Sequence, residues 1–156
     1  MKVAVALAAG VLAGSGAALA TPGLGILGVV QARGTDVDEL NIHSDAGIKL
    51  KTRGPVDFVT QQITIAPGGT TGWHSHPGPV LVTVKAGALT LVYADDPSCE
   101  GRVYTAGQSF VDRGDEAVHT ALNRGTTPVE LWATYLVPGD PGTPFRIDAP
   151  DPGCDF

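Results

Sequence analysis

The chain has 156 residues, 43% of them hydrophobic, with 16 acidic side chains against 10 basic ones and a formal charge of −6. A length of this order holds one domain. An acidic chain with no Lys/Arg cluster is a poor candidate for nucleic acid or anionic membrane, both of which select clustered positive charge.

The first element in chain order stands apart from that domain. Lys2 is followed by an almost unbroken run of Ala, Val, Leu and Gly that ends in Ala18-Leu19-Ala20. A basic start, an apolar stretch and a small-x-small exit predict a cleaved secretory signal over residues 1–20. Gly10, Gly14 and Gly16 interrupt the stretch, which is too short and too rich in small residues to span a bilayer well. The expected product is a secreted, extracellular chain of about 136 residues starting near Thr21, large enough for one hydrophobic core. Its two cysteines, Cys99 and Cys154, both lie in the exported part. Paired thiols persist in oxidising compartments, so a disulfide between them is expected, tying the C-terminal tail to a mid-chain loop.

Residues 21–55 read as an N-terminal extension with the first strands. Within it, residues 21–28 are rich in Gly and Pro and are expected to be loosely held; residues 36–44 are polar and read as loop. Residues 56–66 form a β-rich run that Pro67-Gly68-Gly69 should end sharply. Residues 80–85 and 88–93 are two β-branched runs separated by Ala86-Gly87, the pattern of a tight hairpin. In residues 128–137, Val129, Leu131, Ala133 and Tyr135 alternate with Glu130, Trp132, Thr134 and Leu136. The tail over residues 138–156 alternates Pro, Gly and Asp. With 21 glycines and 12 prolines cutting the chain into short strands, the fold class is all-β, sandwich or barrel, with its core over residues 56–137.

Three of the four histidines point to chemistry. His74 and His76 form an H-x-H pair, and on an extended strand residues i and i+2 project to one face. His119 lies in a later strand-like segment that an antiparallel barrel can bring opposite the pair. Three converging imidazoles make a first-row metal site with open positions, for Fe, Mn, Ni or Zn. An H-x-H pair on a surface loop is the competing reading of the same spacing. Trp73 beside His74, Val80 and Gln61 are candidate pocket residues, and Leu91 and Phe110 candidate apolar walls. There is no phosphate loop, no G-x-S-x-G elbow and no Cys/His nucleophile pair, so hydrolase chemistry of those kinds has no support.

Gly68, His74, His76 and Gly87, followed by Gly107, His119 and Asn123, resemble the two motifs of the cupin superfamily. The Pro-x-Gly of the second motif is replaced here by residues 112–116. The resemblance implies a double-stranded β-helix (jelly-roll) barrel, with His74, His76 and His119 as ligands of a divalent transition metal. It implies a small-molecule ligand, and its habit of pairing through edge strands implies a homodimer. The carboxylate slot of the first motif is occupied by Val80, with Leu81 at the alternative spacing, so the usual Glu ligand is missing. A neutral three-histidine site leaves the metal charge uncompensated unless an anion joins it. His43, Asp112 and Glu116 are the side chains considered for a distant fourth ligand. Two functions stay open: a metal-dependent oxygenase or isomerase, and a non-catalytic ligand-binding or structural module with weak or no metal.

Overall fold

The computed structural model describes residues 20–139, 142–154 and 156; the predicted signal lies outside the described residues except for Ala20. The described residues form β1 (Leu24–Val37), β2 (Asn41–His43), β3 (Lys49–Lys51), β4 (Val56–Thr70), β5 (His74–Ser75) and β6 (Val80–Ala86). They continue as β7 (Ala88–Tyr93), β8 (Arg102–Thr105), β9 (Ser109–Asp112), β10 (His119–Leu122), β11 (Val129–Pro138) and β12 (Ile147–Asp148). None of them is helical.

Two antiparallel walls face each other. One runs β1-β4-β11-β6-β9 and the other β12-β5-β10-β7-β8, and they meet where Leu122 of β10 pairs with Thr70 of β4. This is the expected jelly-roll barrel. Period-2 alternation decides what each wall buries. Val129, Leu131, Ala133 and Tyr135 of β11 point into the barrel with Val59, Ile63 and Ile65 of β4, where Leu89, Leu91 and Ala121 meet them from the opposite wall. The intervening residues of that second wall, among them Val92 and Leu122, build a smaller core on its outer face with Trp73, Ala149 and Cys154. The Cys99–Cys154 disulfide closes this outer core, joining the tail to the loop after β7 as expected.

Four local expectations are corrected. β4 does not stop at Ala66. It passes through Pro67-Gly68-Gly69 as a bulge, shown by the register shift from Ile26↔Ile65 to Leu24↔Thr70, while Gly68 N–H donates to Asn123 O and Asn123 N–H to Gly69 O. The Gly/Pro cluster thus transfers the strand from one wall to the other. Residues 80–86 and 88–93 are not a hairpin: β6 pairs with β11 and β9, β7 with β10 and β8. Only Gly87 separates them, at φ 78°, and an added Cβ there would lie 2.7 Å from Pro128 O. The chain turns a corner between walls where a hairpin would need a two-residue loop. Residues 24–28 are paired in β1 along β4, the strand being anchored by Arg33, which donates to the buried Asp57 carboxylate at 2.8 Å from Nε. Finally, residues 41–43 pair with residues 49–51 as a small exposed ribbon.

Candidate metal centre

His74 at the start of β5 faces inward, and Trp73, the residue before the strand, faces the outer side. Trp73 therefore belongs to the outer core, stacked on Phe156 with ring centroids 6.0 Å apart, and does not line the barrel interior. His76, two residues after His74, returns to the inner face. β10 brings in the third histidine through a direct pairing of His119 with His74. The three rings lie with centroids 4.4 to 5.2 Å apart. One candidate ligand atom from each lies within 4.8 Å of the others.

The state of these imidazoles follows from their partners. His74 Nδ1 sits 2.8 Å from Gly72 O, His76 Nδ1 2.6 Å from Phe145 O, and His119 Nδ1 3.0 Å from Ala117 O. A carbonyl only accepts, so each Nδ1 carries the proton and donates it, leaving an Nε2 lone pair on all three rings. Burial lowers the pKa of each ring: His76 to about 4, with His74 and His119 also below the ordinary imidazole range. The protein holds three neutral nitrogen donors, oriented by backbone carbonyls as metal-bound histidines usually are. That donor set fits a first-row divalent metal.

Of the candidates for a fourth ligand, His43 lies on the exposed β2, and Glu116 is exposed although its backbone N–H donates to His76 O. Asp112 is 2% exposed and comes from β9 on the opposite wall. Its Oδ2 lies 3.6 Å from His119 Nε2 and 3.8 Å from His76 Nε2. Its Oδ1 accepts from the Tyr93 hydroxyl at 2.9 Å. Tyr93 lies under the Arg113 guanidinium, 4.5 Å from the ring centroid, and burial together with the Asp112 charge raises its phenol above the usual range. The turn that follows depends on Gly114, at φ 65°, where a Cβ would lie 2.2 Å from the Gly78 carbonyl. Gly114→Ala is expected to cost about 2 kcal/mol or more and to displace Asp112, seen as a lower melting temperature with weakened metal binding.

Val80 lines the inner chamber, a cavity of about 50 Å³, together with Leu91, Phe110 and the three histidines. Outside it lies a vestibule of about 400 Å³ whose lining includes His74, His76, Gln61, Tyr135, Phe145 and Arg146. Gln61 accepts from the Tyr135 hydroxyl through Oε1 at 2.9 Å. Arg146 is held by Asp148 Oδ1 at 2.7 Å and Thr71 O at 2.8 Å. A larger groove of about 590 Å³ beside residues 50–56 and 77–79 has no His, Cys, Asp or Glu in its lining. Sequence reasoning did not single out Tyr93, Tyr135 or Arg146 for the site. Arg146 carries no motif signal, and the two tyrosines read as ordinary core or wall residues.

A small two-walled β barrel with a buried cluster of three inward histidines defines the class. The chain belongs to the cupin superfamily: residues 61–137 match the cupin domain family, Cupin_2. Its fold is similar to that of an uncharacterised conserved protein with a double-stranded β-helix domain from Klebsiella pneumoniae, at 18% identity and a TM-score of 0.55, covering 80% of this chain and 84% of that one. A cupin superfamily protein from Desulfitobacterium hafniense also matches, at 13% identity and a TM-score of 0.49, over 72% of this chain and 78% of that one. No match was found among curated proteins.

Proposed function

We propose that this protein is a secreted, metal-dependent cupin that binds a small organic ligand, with oxygenase or isomerase chemistry as its turnover. The observation that carries the reading is the set of three Nδ1–H···O=C bonds, which leaves three Nε2 lone pairs beside one small chamber. His74, His76 and His119 would hold the metal. A divalent metal in such a site supplies Lewis acidity and open coordination positions for ligand oxygen atoms or O₂.

The rest belongs to the chain. A chamber of about 50 Å³ has room for donor atoms and not for a ligand body, which sits in the vestibule of about 400 Å³, within the range of small-molecule pockets. Tyr135 and Gln61 offer it a fixed polar edge, and Phe145 an apolar wall. Arg146 is fixed at the rim close enough for its charge to disfavour protonation of all three histidines, so it favours ligands with an anionic or enolic end. The disulfide supports an extracellular location. The exposed Leu24, Leu27, Val29 and Val30 of β1, which among the described residues pairs with β4 alone, support a homodimer through that edge.

A second reading, a ligand-holding module without turnover, is favoured by one feature. Apart from the ligand histidines, the acid–base groups of the vestibule are engaged: Asp148 with Arg146, and Tyr135 with Gln61. Elemental analysis of the secreted protein separates metal from no metal. About one Fe, Mn, Ni or Zn per chain is expected, lost in His74→Ala. A negligible content, unaltered by that change, would sink the metal reading. Oxygen uptake with small diketones, thiols and phenols then distinguishes turnover from binding.

A further inference from the structure

The buried Asp112 carboxylate has one oxygen with a task and one without. Oδ1 accepts from Tyr93, while Oδ2 is the buried side-chain polar atom that has no hydrogen-bond partner among the described residues. An unpaired carboxylate oxygen in an apolar interior is costly and persists where something compensates it. Oδ2 is aimed at the Nε2 atoms of His76 and His119, whose protons are on the other ring nitrogen, so neither histidine can donate to it. Oδ2 and these two Nε2 atoms are three acceptors facing one another, beside a third imidazole in the same cluster, and such an arrangement calls for a cation. The backbone register explains where this carboxylate comes from. Asp112 of β9 is the direct cross-strand partner of Val80 of β6, the position where the family motif has its Glu. The two side chains therefore leave adjacent strands on the same face.

We infer that Asp112 is the fourth metal ligand, through Oδ2, replacing from the neighbouring strand the carboxylate missing at Val80. Tyr93 is its positioning residue: the phenol donates to Oδ1 and turns Oδ2 inward. The inference rests on the three-histidine metal reading and adds the anion that a neutral nitrogen set lacks. With it, the site takes a divalent cation as three nitrogens and one oxygen.

The test is Co(II) titration of the metal-stripped full-length mature protein, followed by d–d absorption and calorimetry. Asp112→Asn keeps the shape and the acceptor for Tyr93 but loses the charge. It is expected to weaken Co(II) binding by about 100-fold or more, the upper end of what loss of an outer-shell partner costs, and to change the cobalt spectrum. Tyr93→Phe is expected to weaken binding about 10-fold with the wild-type spectrum retained. Without metal, Asp112→Asn should melt no lower than the stripped wild type, because it removes an unpaired buried charge; a residue kept for structure alone would melt lower. Asp112→Asn/Val80→Glu restores a carboxylate at the motif position and is expected to recover affinity. Equal Co(II) affinity and an unaltered spectrum in Asp112→Asn overturn the fourth-ligand assignment and leave the three histidines standing. Failure of the wild type to bind Co(II) at all overturns both.

Discussion

Divalent metal at about 1,000 times its dissociation constant is expected to stabilise the stripped protein by about 4 kcal/mol, since the folded cluster binds it and the unfolded chain does so far more weakly. For a domain of this size that is a rise in melting temperature on the order of 10 °C. Burying this cluster is costly in itself. His74, His76, His119 and Asp112 are each no more than 5% exposed, and the fold holds the three imidazoles together with the Asp112 carboxylate beside His76 and His119. Nothing in the hydrophobic core demands this arrangement, and an apolar packing of the same volume would be cheaper. The stabilisation lost in building the cluster returns when a cation enters it. In His76→Ala the metal-induced shift should collapse to a small fraction of the wild-type value. The stripped variant should lose little stability, because a desolvated imidazole has gone. A melting temperature that ignores Zn(II), Mn(II), Fe(II), Ni(II) and Co(II) alike in the wild type would contradict the expectation.

Sequence and structure agree where side-chain alternation is clean. The inward set Val129, Leu131, Ala133 and Tyr135 is visible in the bare sequence because polar and apolar residues alternate there, and the wall buries them as a row. The same period-2 rule makes the His74/His76 convergence legible, and it shows why Trp73 faces away. What is not legible is pairing. Gly87 between two β-branched runs looks like a hairpin tip, yet the chain crosses between walls there, a choice made by the long-range partners β9, β10 and β11. The Gly-rich start of β1 looks loose until its ladder with β4 is known. Asp112 shows the limit most clearly. Thirty-two residues separate it from Val80, and only the register of β6 against β9 makes them neighbours. A motif search tests positions along the chain, and so it records a missing carboxylate where the barrel has one.

Removing the disulfide, as Cys99→Ser/Cys154→Ser, is expected to cost about 4 kcal/mol, the chain-entropy value for a cross-link closing a loop of 55 residues. The melting temperature should drop by on the order of 10–15 °C. The larger consequence falls on the three-histidine cluster, through the tail that the bond anchors. β12 pairs with β5, Ile147 with Ser75 and Asp148 with His74, and Ala149 N–H donates to Trp73 O. The tail also supplies Phe145 O, the carbonyl that fixes the His76 tautomer, and Arg146 at the vestibule rim. Releasing Cys154 lets this segment open, so one of the three clustered histidines loses its orienting acceptor. Metal affinity is then expected to fall by about 10-fold, typical for loss of an outer-shell partner, even below the melting transition where the barrel is intact. Co(II) titration of the oxidised protein, the chemically reduced protein and the double Ser variant at one temperature measures this directly. Matching affinities in all three would show that the tail stays seated without its cross-link, and would confine the bond to global stability.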